Sequence, residues 1–143
     1  MPSRLLVALQ LALIAALILT TRSSAPLLLP AITLLVLGTA LGLWAVSANR
    51  WGNFNIRPEV KRGARLITTG PYRWIRHPMY SAILLGMAAF LAVDLSAARI
   101  AMYAALLFVL IVKAKREEQY LRAAFADYDV YAARTSRFIP MVW

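Results

Sequence analysis

The sequence predicts an all-α integral membrane protein: four transmembrane helices, the third and fourth joined as a tight helical hairpin, and a C-terminal amphipathic helix at the cytoplasmic face. Three observations support this fold class. Hydrophobic residues make up 62% of the 143 positions, too many for a soluble domain of this size. Apolar runs cover residues 5–20, 26–47, 79–93 and 97–112. Basic residues concentrate in alternate connections between these runs, as in multi-pass membrane proteins.

The four runs differ in length. Only residues 26–47 reach the roughly 20 residues that span a bilayer, so we expect the others to thin the membrane or to recruit flanking residues. The first run, followed by Ser23-Ser24-Ala25, also resembles a secretory signal peptide. Because Pro26 directly follows that candidate cleavage site, we expect the first helix to be retained.

Two glycines in the second run indicate a close helix contact. Gly38 and Gly42 lie four residues apart and therefore on one helix face. Small residues at this spacing let two membrane helices approach closely. The sequence thus predicts a packing contact on this face, and a contact between protein copies remains open.

The charge distribution orients the chain. The first connection carries Arg22, and the third carries Asp94 and Arg99. The second connection and the C-terminal segment are strongly basic: Arg50, Arg57, Lys61, Arg62, Arg65, Arg73 and Arg76, then Lys113, Lys115, Arg116, Arg122, Arg134 and Arg137. The positive-inside rule places both termini and the second connection in the cytoplasm. The basic residues behind the net charge of +10 then orient the chain in the membrane and contact anionic lipid headgroups. We therefore expect no nucleic-acid partner.

The predicted hairpin brings distant residues together. Pro78 suits the first position of the third helix, and Ser96 suits capping of the fourth. A hairpin returns the chain to the same membrane face, so Glu117 and Glu118 should lie close to His77. Residues 113–131 should continue as a helix and fold back over the membrane surface as a lid.

The residues on this face suggest the chemistry of a ligand. Arg76, His77 and Tyr80 offer a cation, a titratable donor and a phenol at a helix N-terminus, which favours anions. Glu117 and Glu118 add acceptors for hydroxyl or amine donors. An apolar slot for a flat ring is available from Leu66, Ile67, Tyr72 and Trp74. S-adenosylmethionine carries a carboxylate, hydroxyls and an aromatic base together, although a dinucleotide satisfies much of the same set.

Other readings of the same residues stay open. The basic residues can be snorkelling anchors, and the aromatic residues can form an interfacial belt. The sequence contains no cysteine and a single histidine, so disulfides and thiolate sites are excluded and we expect no metal site.

The elements RHPMY at residues 76–80 and EEQYL at 117–121, together with RFIP at 137–140, resemble the isoprenylcysteine carboxyl methyltransferase family. Its relatives include phospholipid N-methyltransferases, and the resemblance extends over about residues 65–140. It implies a methyltransferase that takes S-adenosylmethionine from the cytosol and a lipophilic acceptor from the bilayer. It also divides the chain into two N-terminal helices, residues 1–49, and a catalytic region, residues 50–143.

The resemblance assigns roles to individual residues. Lys113, one turn before Glu117, would face the acceptor, although arginine is more familiar there. Ala82 replaces a usual glycine and would narrow the acceptor pocket. The residues implied to contact the cofactor are Leu66, Ile67, Tyr72, His77, Pro78, Met79, Tyr80 and Glu117. The residues implied to act in catalysis are Arg76, His77, Lys113 and Glu118.

Alternative functions remain open at this point. A phospholipid or amine N-methyltransferase differs only in its acceptor, and His77 or Glu118 would then serve as the base for an ammonium group. An NADPH-dependent membrane reductase is a different enzyme class. A non-enzymatic membrane subunit would use these residues only to anchor helices. An oligomer is possible for any of them.

Overall fold

The computed structural model describes residues 2–22, 27–49 and 65–141. The helices are α1 (Ser3–Leu19), α2 (Leu28–Asn49), α3 (Pro78–Val93), α4 (Ala97–Ala124) and α5 (Tyr128–Ala133), with a 3₁₀ turn at Gly70–Arg73. These described parts contain no β-strand, and one isolated parallel bridge joins Ile75 to Ser136. The all-helical prediction is confirmed. The candidate cleavage site at 23–25 and most of the basic connection, residues 50–64, lie outside the described residues.

Of the four predicted transmembrane helices, two are candidate membrane spans by their length and composition. Within the described ranges, α2 with 22 residues and α4 with 28 residues are long and apolar enough to cross a membrane. The apolar helices α1 and α3 have 17 and 16 residues. At about 1.5 Å per residue, helices of this length reach only about 25 Å, which is less than the roughly 30 Å hydrocarbon core. The described helices are consistent with a helical membrane protein, and two of them are long enough to span a bilayer.

The small-residue face of α2 packs against α3. A Cβ atom at Gly38 would lie 2.9 Å from the backbone nitrogen of Gly86 and 3.0 Å from the carbonyl oxygen of Ala82. A Cβ atom at Gly42 would lie 3.5 Å from the Cβ atom of Ala82. The predicted close contact is therefore present. It also places Ala82 in the α2–α3 interface, so its methyl group faces α2.

The remaining core lies between α1, α3 and α4. Leu17, Met87, Leu106 and Leu110 form a buried cluster drawn from all three helices. The turn between α3 and α4 spans residues 94–96, as predicted, but α3 packs mainly on α2 while α4 packs mainly on α1. Ser96 occupies the N-cap position of α4 without a capping bond from its side chain.

The polar end of α4 differs from the predicted lid. The helix continues unbroken through the charged residues to Ala124 and then stops, because Phe125 adopts an extended backbone conformation. A separate helix, α5, resumes at Tyr128 and has only six residues. The predicted continuous helix over 113–131 is therefore wrong at residues 125–127. The break lets the C-terminal segment turn back toward the start of α3.

Candidate functional site

The approach to α3 is fixed by a turn that only glycine suits. Gly70 has φ +60°, and a Cβ atom there would lie 2.8 Å from the Cβ atom of Ala48. Both the backbone conformation and the close approach to α2 exclude a larger residue. The following 3₁₀ turn docks beside α2, where the rings of Trp44 and Trp74 lie 5.8 Å apart. This docking positions Tyr72 and the start of α3.

Residues 134–138 form a C-terminal strap across that start. The Ser136 carbonyl accepts a hydrogen bond from the Arg76 backbone N–H at 2.8 Å, and the Arg137 carbonyl accepts one from the His77 N–H at 3.1 Å. The Ser81 hydroxyl donates to the Phe138 carbonyl at 2.6 Å. The strap therefore supplies partners to backbone and side-chain donors around the first turn of α3.

The structure brings the predicted histidine and acids together. His77 Nδ1 lies 3.5 Å from Glu117 Oε2, and His77 Nε2 lies 3.3 Å from Glu118 Oε1. The Tyr80 ring stacks on the His77 ring with centroids 5.3 Å apart. The predicted meeting of the α3 start with the two acids is confirmed. We call this group the His77 cluster; its members are Arg76, His77, Tyr80, Glu117, Glu118 and Arg137.

Glu118 is the buried centre of the His77 cluster. Its Oε1 atom accepts hydrogen bonds from Arg76 Nε at 3.0 Å and Arg137 Nε at 2.9 Å, and its Oε2 atom accepts one from Arg137 Nη2 at 2.9 Å. Its side chain is only 2% exposed. Burial alone would raise its pKa, but hydrogen bonds from His77, Arg137 and Arg76 hold the pKa of this carboxyl well below its usual range. Glu118 therefore stays ionised.

His77 is held in its charged form by the same arrangement. Burial of the ring disfavours the charge, yet hydrogen bonds to Glu117 and Glu118 outweigh it, and the pKa of His77 is raised above its ordinary value. A protonated imidazole donates from both nitrogens, which matches one carboxylate on each side. His77 is thus a donor in this site rather than a ready base.

Glu117 faces in a different direction from Glu118. The Tyr80 hydroxyl donates to Glu117 Oε2 at 2.9 Å, while 29% of the Glu117 side chain remains exposed. Burial and the nearby Glu117 charge raise the pKa of the Tyr72 phenol, so that group stays neutral. Glu117 is therefore the acid of the pair that a ligand can reach.

Arg76 contacts the C-terminal segment more than any open space. Besides Glu118, its guanidinium donates to the Ala132 carbonyl at 2.8 Å and to the Thr135 carbonyl. These bonds tie the start of α3 to α5 and to the C-terminal strap. The geometry suits a positioning role, and the predicted catalytic role of Arg76 stays a prediction.

Lys113 lies in the interior of the bundle. It is 2% exposed, its Nζ donates to Gln10 Oε1 at 2.6 Å, and the same atom lies 5.1 Å from the centroid of the Tyr80 ring. Gln10 is not among the site residues predicted from the sequence. The available signal was a lone amide side chain in the middle of the first apolar run.

The other predicted residues lie in the segment before the 3₁₀ turn and at the first positions of α3. Leu66 and Ile67 are half-buried in the extended segment before the turn, Pro78 is buried at the first position of α3, and Met79 is half-buried beside it. Their proposed contacts with a cofactor stay predictions. Among the described side chains, the Tyr128 hydroxyl is buried without a hydrogen-bond partner. The described residues contain no group of three or more His, Cys, Asp or Glu residues placed to hold a metal ion.

Two curated relatives are similar to part of this chain. One is the cobalt-zinc-cadmium resistance protein CzcN of Cupriavidus metallidurans, 38% identical over 82 residues. The other is the nickel-cobalt-cadmium resistance protein NccN of Alcaligenes xylosoxydans, 34% identical over 83 residues. Each match covers 56% of this chain and 38% of the relative's length. No solved structure matches the chain.

The family comparison covers most of the described site. Residues 31–123 match the isoprenylcysteine carboxyl methyltransferase family, a range that includes most of α2, all of α3 and nearly all of α4. This range holds His77, Tyr80, Lys113, Glu117 and Glu118, while α1 and the C-terminal strap lie outside it. The match extends over more than half of the chain, and the chain therefore belongs to the isoprenylcysteine carboxyl methyltransferase family.

Proposed function

We propose that this protein is an S-adenosylmethionine-dependent methyltransferase that acts on a lipophilic acceptor at the cytoplasmic membrane face. One observation carries the proposal: Glu117 is fixed by Tyr80 and His77 while 29% of its side chain stays exposed. An acid held in this way offers oxygen acceptors to a ligand's hydroxyl or amine donors. Family membership supports methyl transfer as the reaction class.

The residues around Glu117 fit the chemical groups of S-adenosylmethionine. The cofactor carries hydroxyls and an ammonium group that suit a carboxylate, and its sulfonium cation suits aromatic faces and negative charge. The rings of Tyr80 and Phe138, with centroids 6.4 Å apart, supply aromatic surface near that acid. The buried Tyr128 hydroxyl still needs a partner from water or a ligand. The donor and acceptor set is therefore compatible with this cofactor.

In the proposed reaction the protein's task is alignment. Bound S-adenosylmethionine supplies an electrophilic methyl group on its sulfonium sulfur. Glu117 and Tyr80 would hold the donor, with Leu66, Ile67, Tyr72, Pro78 and Met79 as its proposed surroundings. Holding two reactants at near-attack distance lowers a barrier by up to about 7–11 kcal/mol. This chemistry requires neither a metal ion nor a covalent nucleophile.

The protonation states favour an acceptor that arrives already deprotonated. A carboxylate acceptor needs no base, whereas an ammonium acceptor must lose a proton first. Hydrogen bonds to Glu117 and Glu118 raise the pKa of His77 and favour its protonated form, and the lowered pKa of Glu118 makes that acid a weak base. We therefore propose a carboxylate-like lipid acceptor ahead of a lipid amine, with Lys113 on the acceptor side.

The other candidate functions lack a specific observation in their favour. The curated relatives are named for resistance to metal ions, but the described residues offer no positive reason to assign metal binding here. A reductase would be stabilised by binding NADPH, and a methyltransferase by binding S-adenosylhomocysteine. A non-enzymatic subunit would be stabilised by neither compound. Ligand binding therefore separates the three.

The test measures thermal unfolding of detergent-solubilised protein with S-adenosylhomocysteine or with NADPH. A ligand at 100 times its Kd stabilises the folded state by about 2.7 kcal/mol, which shifts the unfolding temperature by several degrees. We expect this shift with S-adenosylhomocysteine only. Glu117→Gln should abolish it, while the control Asp129→Asn, an exposed acid paired with Arg122, should retain it. A full shift in Glu117→Gln would remove the proposed site.

A further inference from the structure

Arg137, in the C-terminal strap, contacts His77 in two ways. Its backbone carbonyl accepts a hydrogen bond from the His77 N–H at 3.1 Å. Its side chain donates to both carboxylate oxygens of Glu118, from Nε to Oε1 and from Nη2 to Oε2, at 2.9 Å each. Glu118 Oε1 in turn lies 3.3 Å from His77 Nε2. One residue of the strap therefore constrains both the backbone and the ring of His77.

The two bonds from Arg137 fix the plane of the Glu118 carboxylate. A carboxylate held at one oxygen can still rotate, whereas a planar guanidinium that binds both oxygens sets its position and its plane. Arg76 reaches Oε1 from Nε at 3.0 Å and directs its Nη1 toward carbonyls of the C-terminal segment. Arg122 Nη2 lies 3.9 Å from Oε2, too far for a hydrogen bond. Among the described residues, Arg137 is thus the arginine that bonds to both oxygens.

The His77 ring connects Glu118 with Glu117. Its Nε2 atom faces Glu118, while its Nδ1 atom lies 3.5 Å from Glu117 Oε2. The Tyr80 ring stacks parallel to the imidazole, a contact that would survive if the imidazole turned over. Stacking therefore leaves the direction of the two nitrogens to their hydrogen bonds, and the bond at one nitrogen decides the direction of the other. A fixed Glu118 carboxylate keeps Nδ1 directed at Glu117.

Attachment of the strap does not depend on the Arg137 side chain. The Ser136 N–H donates to the Trp74 carbonyl at 3.0 Å, and the Ser136 carbonyl accepts from the Arg76 N–H at 2.8 Å. A neutral residue at position 137 would keep these backbone bonds. Replacing a buried ion pair by apolar residues is often neutral or stabilising, so fastening of the strap does not account for the pair of Arg137 and Glu118.

We propose that Arg137 is a positioning residue of the candidate site, acting through Glu118 on the His77 ring. The oriented ring then holds Glu117 in place for the ligand. The part of this inference that concerns ligand binding rests on the proposed function. The inference adds that the C-terminal strap, which lies outside the family match at 31–123, contributes a residue to the site.

The first experiment uses the single histidine of the sequence as a spectroscopic probe. Full-length protein, isotope-labelled only at the histidine nitrogens, is studied by NMR in detergent at mildly acidic pH, where the imidazole carries a proton on each nitrogen. We expect the ring Nε2–H in Arg137→Gln to exchange with water at least about tenfold faster than in the parent protein, a loss of about 1.4 kcal/mol in protection. The His77 backbone N–H should exchange as in the parent, because the carbonyl that it donates to is retained.

The second experiment measures S-adenosylhomocysteine affinity below the unfolding temperature. Arg137→Gln should bind at least about tenfold more weakly than the parent protein, because Glu117 is no longer held in one orientation. Arg137→Lys keeps the charge but replaces the planar fork by a single ammonium, so its affinity and its ring exchange should fall between the other two. It also takes the place of Arg137→Gln in both measurements should that variant fail to fold. The matched control is Arg134→Gln, which removes an exposed arginine from the same strap and should behave as the parent.

The outcomes separate this inference from the proposed function. Parent-like ring exchange or parent-like affinity in Arg137→Gln, or in Arg137→Lys where it takes that place, overturns the inference. Equal acceleration of ring and backbone exchange also overturns it, because the variant then loosens the whole site. Equal loss of affinity in Arg134→Gln does the same, because net charge would then be the cause. If the parent protein does not bind S-adenosylhomocysteine, the proposed function fails, while ring exchange still decides whether Arg137 positions His77.

Discussion

The two ends of α3 each carry a buried polar cluster, but only the cluster at the His77 end contains the acid that we propose to bind a ligand. At the end away from His77, Arg99 is 3% exposed and bonds to the Asp94 and Phe90 carbonyls. It also donates to the hydroxyls of Thr20 and Thr21 at 2.9 Å each. We call these five residues the Arg99 cluster. It ties the end of α1 to both sides of the α3–α4 turn.

In both clusters hydrogen bonds enclose a buried charge, an arrangement that we call a clamp. The His77 cluster also contains a partly exposed acid, Glu117. The Glu118 carboxylate is enclosed by hydrogen-bond donors of the protein, just as the Arg99 guanidinium is enclosed by acceptors. Glu117, the adjacent residue on α4, is partly exposed and lies beside the aromatic rings of His77 and Tyr80. Adjacent helical positions point about 100° apart, so one acid turns inward and the other outward. The comparison teaches that burial and completed hydrogen bonding mark the clamp, while a fixed but exposed charge marks the candidate site.

The largest predicted effect is the loss of the Glu118 clamp. Glu118→Gln leaves the buried donors of Arg76, Arg137 and His77 without their counter-charge. Breaking a buried ion pair in this way costs about 3–5 kcal/mol. We expect a reduction of this size in the free energy of unfolding, measured in mixed detergent micelles.

The matched variant is Glu117→Gln. Like Glu118→Gln, it replaces one carboxylate oxygen with an amide NH₂ group. Because Glu117 is partly exposed and receives fewer donors, its loss should cost about 1 kcal/mol or less. It should nevertheless remove S-adenosylhomocysteine binding. Equal destabilisation by the two variants would contradict the division of clamp and site.

The second prediction concerns the Arg99 cluster. Arg99→Met keeps much of the side-chain volume and removes the hydrogen bonds to α1, α3 and the turn. Hydrogen bonds to a charged group contribute about 1.5–3 kcal/mol, so we expect the free energy of unfolding to fall by about 2 kcal/mol. S-adenosylhomocysteine affinity, measured below the unfolding temperature, should equal that of the parent protein. A parallel loss of affinity would show that the two ends of α3 are coupled.

The sequence predicted the parts of the site that depend on chain order and helix period. A proline at the start of α3, a short turn at 94–96 and two acids after the next apolar run were enough to predict the meeting of His77 with Glu117 and Glu118. The glycine spacing likewise predicted the close face of α2. These features follow from local rules, because a helical hairpin returns the chain to the face it left.

The remaining features depend on tertiary packing that spacing does not encode. Two basic residues, Arg76 and Arg137, meet Glu118 from segments 61 residues apart, and nothing local indicates that both turn toward it. The strap that carries Arg137 exists because α4 stops at Ala124, whereas the hydrophobic pattern predicted continuation. The contact of Gln10 with Lys113 depends on the packing of α1 against α4, which the sequence does not encode.

The third prediction tests the contact between α2 and α3 that supports both clusters. Gly38→Ala places a methyl group 2.9 Å from a backbone nitrogen, so the helices must separate at a cost of about 1–3 kcal/mol. Gly42→Ala meets only an ordinary contact and should be neutral or stabilising by up to about 1 kcal/mol. Unfolding in mixed micelles measures both. Similar values for the two glycines would contradict the observed packing.

The smallest predicted effect is the pH dependence of stability, which we expect from His77 and Glu118 in the His77 cluster. The pKa of His77 is raised in the folded protein, so its contribution is fully present below its unfolded value of about 6.5 and is lost as the pH rises through the folded pKa. The pKa of Glu118 is lowered, so its contribution is present above about pH 4.3 and is lost as the pH falls through the folded pKa. Stability should therefore be highest between about pH 5 and 6.5.

Stability should fall on both sides of this optimum, in an alkaline limb set by His77 and an acid limb set by Glu118. Unfolding temperatures recorded at pH values below, within and above the optimum separate the two limbs. His77→Gln should flatten the alkaline limb, by about 1.4 kcal/mol for each unit by which the folded pKa exceeds the unfolded one. Arg99→Met should lower the whole curve and leave both limbs in place, because an arginine carries the same charge at every pH in this range. If the alkaline limb survives in His77→Gln, the imidazole is not charged between the two acids. Glu117 would then be held by the Tyr80 hydroxyl alone, without a charged imidazole beside it. The contrast between the candidate site and the Glu118 clamp would then lose its physical basis.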